Sequence, residues 1–140
     1  KTKCDILFLE GWCCGSSEIP KKILHKNINN LEKIKDPKYQ WRNFYNNKLK
    51  LEYKKLFKLF DELIFLKTSS FDNVFKWRLK QEKTNLSKNK KSKRMTPNEI
   101  KFFIQHYEKI TKWMMKDLNK KAQIVIKFEK NHKISSINFN

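Results

Sequence analysis

The sequence predicts an α/β domain in which short strands alternate with helices. Short continuous apolar runs, typical of strands covered on both faces, alternate with longer stretches in which apolar residues recur three and four positions apart, as on one face of a helix. This order favours a mainly parallel sheet. Because the chain has 140 residues, of which 39% are hydrophobic, we expect a single domain over residues 1–140.

Three apolar segments are predicted to be strands: ILFL (6–9), ELIFLK (62–67) and QIVIKF (123–128). Each is a short apolar run of the length that strands usually have. Three short strands are few for an α/β sheet. We therefore expect this sheet to be the second half of a larger one.

Four segments are predicted to be helices. Residues 21–35 carry a weak helical pattern that Asp36-Pro37 ends, and residues 40–61 carry a clearer one. A third helix is expected after Ser70, which is a suitable N-cap.

The fourth predicted helix has the strongest start signal in the chain. Thr96 can cap the helix, Pro97 suits its first position, and Glu99 completes a capping box. Its apolar residues fall on one face, which we expect to be buried; they are Ile100, Phe103, Ile104, Tyr107, Ile110, Met114 and Leu118.

The net charge of +19 suggests a nucleic-acid binder, but the composition argues against one. Only three of the 33 basic residues are arginine, the residue whose planar fork reads guanine edges. Lysine is instead spread over every segment, together with much Asn, Ile and Phe, as expected from a genome rich in A and T. We therefore consider nucleic acid an unlikely partner; a functional surface for polyanions is the alternative.

The densest basic stretch is KTNLSKNKKSKR (83–94), and residues 83–95 are predicted to form an exposed, lid-like loop. The three cysteines fit neither a zinc site nor a disulfide framework, so we expect small buried thiols. No apolar run approaches the roughly 20 residues that cross a bilayer, and no signal peptide is visible. We expect a cytoplasmic protein without membrane association.

A carboxylate ends the first predicted strand. Glu10 follows the apolar run 6–9, and Gly11 follows Glu10. The carboxyl end of a parallel strand borders the crevice in which α/β sheets bind ligands. Because hard cations prefer oxygen ligands, Glu10 is a candidate to bind Mg²⁺ directly or through water, while Gly11 lets the backbone turn beside it. The alternative for Glu10 is a solvated strand end or a cap.

An ordered series of residues accompanies Glu10-Gly11-Trp12 along nearly the whole chain. It comprises Asn30-Leu31-Glu32, Asp36, Trp41-Arg42, Asn46, Leu49, Tyr53, Leu56-Phe57, Asp61, Phe71, Val74, Trp77-Arg78, Gln81-Glu82, Met95-Thr96, Phe103, His106-Tyr107-Glu108, Thr111 and Trp113-Met114. The series resembles the D-glycerate 3-kinases, which belong to the P-loop kinase group with uridine kinase, pantothenate kinase and phosphoribulokinase. The resemblance implies part of a three-layer α/β fold of the P-loop kinase type, helix-rich and with about three short, mainly parallel strands.

The phosphate-binding half of such a kinase has no counterpart in this sequence. The family begins with a strand and the loop G-x-x-x-x-G-K-[ST], whereas this chain has only two glycines, Gly11 and Gly15. The resemblance therefore implies the C-terminal part of an ATP-dependent kinase for glycerate, with ATP and Mg²⁺ bound largely by an N-terminal half. We expect the 140 residues alone to be inactive.

The resemblance implies roles for three charged residues in phosphoryl transfer, in which catalysis is mostly positioning and charge neutralisation. Glu10 would help to hold Mg²⁺ or its water. Arg78 and Arg94 flank the basic loop and would stabilise negative charge on the transferred group. The alternatives are an ion pair of Arg78 with Glu82, one helical turn away, and a solvated charge for Arg94.

Three further residues are candidates for substrate binding. Arg42 and Asn46 share a helix face, and their guanidinium and amide groups suit the carboxylate and hydroxyls of glycerate. Trp12, beside Glu10, would line the crevice. A cap or surface contact is the alternative for Arg42 and Asn46. Two other functions stay open: a kinase of the same group with another small hydroxylated substrate, and a non-enzymatic basic RNA-binding module.

Overall fold

The computed structural model describes residues 3–88 and 94–140 and, for 85–88, the backbone only. The helices of this described part are α1 (Lys21–Leu24), α2 (Asn30–Lys35), α3 (Gln40–Lys48), α4 (Lys54–Phe57), α5 (Phe71–Lys88) and α6 (Pro97–Lys121), with a π-helical segment (Leu49–Tyr53) between α3 and α4. The strands are β1 (Ile64–Thr68), β2 (Ile124–Phe128) and β3 (Ile134–Phe139). The predicted α/β class is confirmed.

The three strands form one sheet in the order β1-β2-β3. β1 and β2 are parallel, with Ile64 opposite Ile124, and they confirm two of the three predicted strands. β2 and β3 are antiparallel and are joined by a turn in which His132 has a positive φ of 65°. β3 was not among the predicted strands, because its segment ISSINF lacks both a continuous apolar run and strict alternation. The sheet therefore has one parallel and one antiparallel pair.

The strand predicted at 6–9 is wrong. These residues have no regular secondary structure, and their side chains are 55–86% exposed. A strand forms only where a neighbour exchanges backbone hydrogen bonds with it. The sheet in the described residues ends at β1, so no strand there pairs with this apolar run.

The helix predicted over 21–35 is two helices. Asn29 begins the second one, because its side-chain oxygen accepts a hydrogen bond from the backbone N–H of Glu32 at 3.0 Å and so caps α2. α2 ends at Lys35, directly before Asp36-Pro37, as predicted.

The helices predicted over 40–61 and after Ser70 are confirmed, with different ends. The first is continuous from α3 through the π-helical segment to Phe57. The second, α5, runs to Lys88, so residues 83–88 are helical and not part of a loop; lysine and leucine are good helix formers, and a polar stretch need not end a helix. Residues 89–93 of the predicted lid-like loop lie outside the described residues. No helix in the described ranges is both long and apolar enough to span a bilayer.

The core lies between α6 and one face of the sheet. The capping box of α6 is confirmed: the Glu99 N–H donates to Thr96 Oγ1 at 3.2 Å, and the Thr96 N–H donates to the Glu99 carboxylate at 2.7 Å. Apolar side chains of α6 pack with Phe65 of β1 and Val125 of β2; they are Ile110, Met114 and Leu118. The buried face predicted for this helix is the one that covers the sheet.

Candidate active site

The loop after residues 6–9 presents Glu10 to solvent. In the described part of the chain, no hydrogen bond or ion pair reaches its carboxylate. The loop turns at once, since the Cys14 N–H donates to the Gly11 carbonyl at 3.4 Å. It is anchored at Gly15, which has a φ of 78° and so close a contact with Leu63 that an added Cβ would lie 2.6 Å from Leu63 Cδ2. Glu10 is therefore an accessible carboxylate on a constrained turn.

Trp12 connects this loop to α6. Its Nε1–H donates to Thr111 Oγ1 at 3.1 Å, and its ring meets the Tyr107 ring edge-on at 4.8 Å between centres. The Tyr107 ring in turn lies 5.1 Å from that of Phe103. Trp12, Tyr107 and Phe103 form an aromatic row along α6. Trp12 is the end of this row nearest Glu10 in sequence and is half-exposed.

Arg78 lies at the other end of the aromatic row. Its guanidinium carbon is 5.6 Å from the centre of the Phe103 ring. The side chain forms an ion pair with Glu82 at 2.5 Å, which was the structural alternative for this residue. Its Nε–H is buried and has no hydrogen-bond partner in the described chain. The aromatic row thus joins two candidate site residues, Trp12 and Arg78, that lie far apart in sequence.

Arg42 lies in a buried cluster of charges. Its side chain is fully buried, its Nε donates to Asp36 Oδ2 at 2.8 Å, and its terminal nitrogens donate to carboxylate or carbonyl oxygens of Leu24, Glu32 and Asp36. Burial alone would raise the pKa of Asp36. Hydrogen bonds from the Arg42 side chain and from the backbone N–H groups of Arg42 and Trp41 outweigh this and lower the pKa below its usual value.

Lys109 of α6 completes this buried cluster. Its Nζ lies 3.2 Å from Glu32 Oε2 and donates to the carbonyls of Ile23 and Lys26 at 3.1 and 2.6 Å. Burial lowers the pKa of Lys109, although the Glu32 carboxylate opposes that shift. The cluster holds α2, α3 and α6 to the segment between α1 and α2.

Asn46 also binds its own chain. Its Oδ1 accepts from the Ile19 N–H at 2.7 Å, and its Nδ2 donates to the Ile19 carbonyl at 3.0 Å. Arg42 and Asn46 do share a face of α3, as predicted, but that face is turned into the protein. Both side chains are therefore buried and satisfied by groups of the protein itself.

Two surface cavities border these elements. One, of about 700 Å³, lies between the loop after Trp12 and α6, and its lining includes Ser17 and Asp117, whose side chains are hydrogen-bonded at 2.6 Å. None of the predicted site residues lines it. Another, of about 510 Å³, lies at the start of α6 between Met95 and Phe103. It adjoins the aromatic row at Phe103, and its lining residue Met95 directly follows the exposed Arg94.

The described residues fit only part of a Mg²⁺·ATP site. In residues 3–88 and 94–140, no group of three or more His, Cys, Asp or Glu side chains could hold a metal ion. Glu10 offers one accessible carboxylate, which suits Mg²⁺ as one of its several oxygen ligands. The other ligands would be phosphate oxygens, water or groups from another polypeptide segment.

The sequence pattern does not indicate the contact between Trp12 and α6. Tyr107 lies on the predicted buried face of this helix, and Thr111 has no predicted role. Their spacing of four residues indicates a shared helix face, but it carries no information on the partner, which lies 99 residues before Thr111.

Comparison with known proteins shows that this chain has the fold of part of longer solved chains. No protein-family model matches this chain, and no curated protein sequence matches it. The solved structure of a D-glycerate 3-kinase from Cryptococcus neoformans var. grubii is similar over 100% of this chain and 51% of its own, with a TM-score of 0.74 and 20% identity. The solved structure of the YGR205w protein is similar over 91% of this chain and 45% of its own, with a TM-score of 0.57 and 21% identity. The chain spans about half the length of each.

Proposed function

We propose that this chain forms the C-terminal half of an ATP-dependent small-molecule kinase that resembles D-glycerate 3-kinase and acts in the cytoplasm. The reaction would transfer the γ-phosphoryl group of ATP to a hydroxyl of glycerate. The observation that carries the proposal is the fold, since the whole chain is similar to about half of such a kinase. The ordered residue series that begins at Glu10-Gly11-Trp12 supports it from the sequence.

We assign the reaction's charged contacts to the turn at Glu10 and to the far end of the aromatic row. Bound Mg²⁺·ATP supplies the phosphoryl group and neutralises part of its charge. Glu10 would accept the metal or its water at an accessible carboxylate. Trp12, whose indole N–H is hydrogen-bonded to Thr111, would form one wall of the site for the phosphate acceptor. Arg78 and the exposed Arg94 would place positive charge near the transferred phosphoryl group.

A kinase of the same group with another small hydroxylated substrate is the second candidate. The fold supports it equally, because 20% identity to a D-glycerate 3-kinase does not select the phosphate acceptor. The acceptor is therefore the first quantity to measure.

The test is a chimera in which these 140 residues replace the matched half of the C. neoformans kinase. We expect ADP formation that depends on both Mg²⁺·ATP and D-glycerate. Glu10→Gln should lower kcat by about 10²-fold or more, with an unchanged melting temperature, because Glu10 is exposed and its carboxylate makes no hydrogen bond or ion pair in the described chain. Asp5→Asn, an exposed carboxylate of the same segment, is the matched control and should keep full activity.

An unchanged kcat in Glu10→Gln would contradict the metal role of that residue. ATP consumption with another hydroxylated acceptor but not with D-glycerate would favour the second candidate. A folded chimera without any acceptor-dependent ATP consumption would contradict both.

A further inference from the structure

The cavity of about 700 Å³ lies at the opposite end of α6 from the residues proposed to act in phosphoryl transfer. Trp113, Asp117 and Lys121 line it from the last three turns of α6, whereas Arg94 precedes the start of that helix. No residue to which we assign a role in the reaction lines the cavity. Its volume falls within the range of about 300–1,000 Å³ that is typical of small-molecule sites. It is therefore a candidate for a second, separate ligand site.

Aromatic and aliphatic side chains form the apolar part of the cavity wall. Phe57 and Trp113 are half-buried there, and Pro20 is exposed. The Trp113 ring is held in place, because its Nε1–H donates to Ser17 Oγ at 3.3 Å and Ser17 Oγ donates to Asp117 Oδ2 at 2.6 Å. Fixed aromatic surface of this kind suits a flat apolar group.

Two lysines of the wall have no acidic partner. Lys54 and Lys58 line the cavity and are exposed, and in the described part of the chain their side chains form no hydrogen bond or ion pair. They lie four residues apart on one helix face, so their like charges repel each other. Asp117 does not compensate them, since its carboxylate oxygens are bound to Ser17 and Lys121.

Glu18 is the other acidic residue of the cavity wall. Within the described residues, its carboxylate forms no ion pair with Lys54 or Lys58. The wall thus carries three lysines and two carboxylates, a net charge of +1. An anion between Lys54 and Lys58 would reduce their repulsion, and the neighbouring aromatic surface would cover an apolar group attached to that anion.

We propose that the cavity binds a small organic anion that carries one carboxylate, sulfonate or phosphate group on an aromatic or apolar body. The anionic group accepts hydrogen bonds from the ammonium groups of Lys54 and Lys58, and the body lies against Phe57 and Trp113. The lysines disfavour neutral and cationic compounds, and the apolar wall disfavours inorganic anions. This inference does not depend on the proposed kinase activity.

The test uses two probes that differ by one charged group. Anilinonaphthalenesulfonate has the ring system of N-phenylnaphthylamine with an added sulfonate, and both compounds become fluorescent in apolar surroundings. We expect the tightest site for the sulfonate probe to have a stoichiometry of one per chain. Its affinity should exceed that of the neutral probe by about tenfold or more, because the neutral probe cannot pair with the lysines.

The double variant Lys54→Gln/Lys58→Gln should weaken binding of the sulfonate probe by about tenfold or more and leave that of the neutral probe unchanged. Lys50→Gln/Lys55→Gln is the matched control, since it removes the same charge from exposed lysines of the same continuous helix that do not line the cavity. All four lysines are exposed, so circular dichroism should show the same helix content in both variants and the original chain.

Nuclear magnetic resonance locates the bound probe. The chain has four Trp residues, and Trp113→Phe identifies the indole N–H signal of Trp113 by its loss. During titration with the sulfonate probe, we expect this signal to shift more than those of Trp41 and Trp77, which do not line the cavity.

Equal affinity for the two probes, or equal weakening by the two double variants, would overturn the proposal. A Trp113 signal that stays unchanged while other indole signals shift would also overturn it, by showing that the anion binds elsewhere on the chain. These outcomes are independent of the test of the proposed function, which measures consumption of ATP.

Discussion

At the scale of single residues, the sequence predicts that Arg42 binds a carboxylate, but it does not predict which carboxylate. A guanidinium in an arginine-poor chain suggests a fork that binds carboxylates, and the structure does pair Arg42 with carboxylates. They belong to Glu32 and Asp36 of the same chain. Asp36 also receives the backbone N–H groups of Trp41 and Arg42, both at 3.1 Å, and so caps the start of α3.

Asp36→Asn tests the energetic role of this contact. The folded pKa of Asp36 is lowered, so its stabilisation is fully present above the unfolded value of about 3.9 and is lost as the pH falls towards the folded value. At pH 7 the variant should lose about 1.5–3 kcal/mol in the free energy of unfolding. Below about pH 4 the difference from the original chain should narrow.

Urea denaturation at several pH values measures this difference. Asp61→Asn is the control, because Asp61 is exposed and its removal should change stability by less than about 0.5 kcal/mol at every pH. A constant loss for Asp36→Asn from neutral to acid pH would show that the carboxylate charge is not what stabilises the contact.

At the scale of helices and strands, the start of α6, which depends on residues within one turn, was predicted correctly, whereas a strand that depends on a distant neighbour was not. The α6 start follows from Thr96, Pro97 and Glu99, which form a capping box within a single turn of the chain. The split between α1 and α2 likewise depends on a local cap at Asn29. The strand predicted at 6–9 has an equally clear apolar pattern, but strand formation depends on a neighbour that its sequence does not specify.

Thr96→Ala should lower the free energy of unfolding by about 1 kcal/mol, because it leaves an N–H at the start of α6 without its side-chain acceptor. Thr96→Ser keeps the hydroxyl, so its free energy of unfolding should lie within about 0.3 kcal/mol of that of the original chain. Thermal unfolding of the three chains measures both values. An equal loss for serine and alanine would mean that the hydroxyl contributes nothing.

At the scale of the whole molecule, positive charge is spread widely whereas exposed apolar surface on the sheet is concentrated. The lysines confer a general positive potential, but few arginine forks are available: Arg42 is buried, Arg78 is paired with Glu82, and only Arg94 is exposed. On the sheet, Ile64, Leu66, Ile137 and Phe139 lie on one face and are 45–78% exposed.

Binding to short single-stranded RNA tests the remaining non-enzymatic alternative. We expect any binding to be electrostatic, without preference between sequences of equal length, and to weaken by about 10³-fold or more as salt rises from about 50 to about 200 mM. Fluorescence anisotropy at several salt concentrations measures this. Sequence-selective binding that persists at the higher salt concentration would support an RNA-binding module instead.

The sequence by itself determined the α/β class, two strands, the main helices and the exact start of α6. These features arise from hydrogen bonds and side-chain contacts between residues a few positions apart, which a local pattern records. It also predicted a turn at Gly11, with Glu10 and Trp12 on either side as candidate site residues. Their chemical roles stay predictions.

Only the tertiary structure decided which faces of these elements are covered. It joined Trp12 to Thr111 across 99 residues, directed Arg42 and Asn46 into the protein and added β3. Within residues 3–88 and 94–140, it left residues 6–9 without a strand partner. The physical reason is that burial and strand pairing depend on distant segments brought together by folding. The energy of such a contact depends on both partners, and a local pattern describes only one.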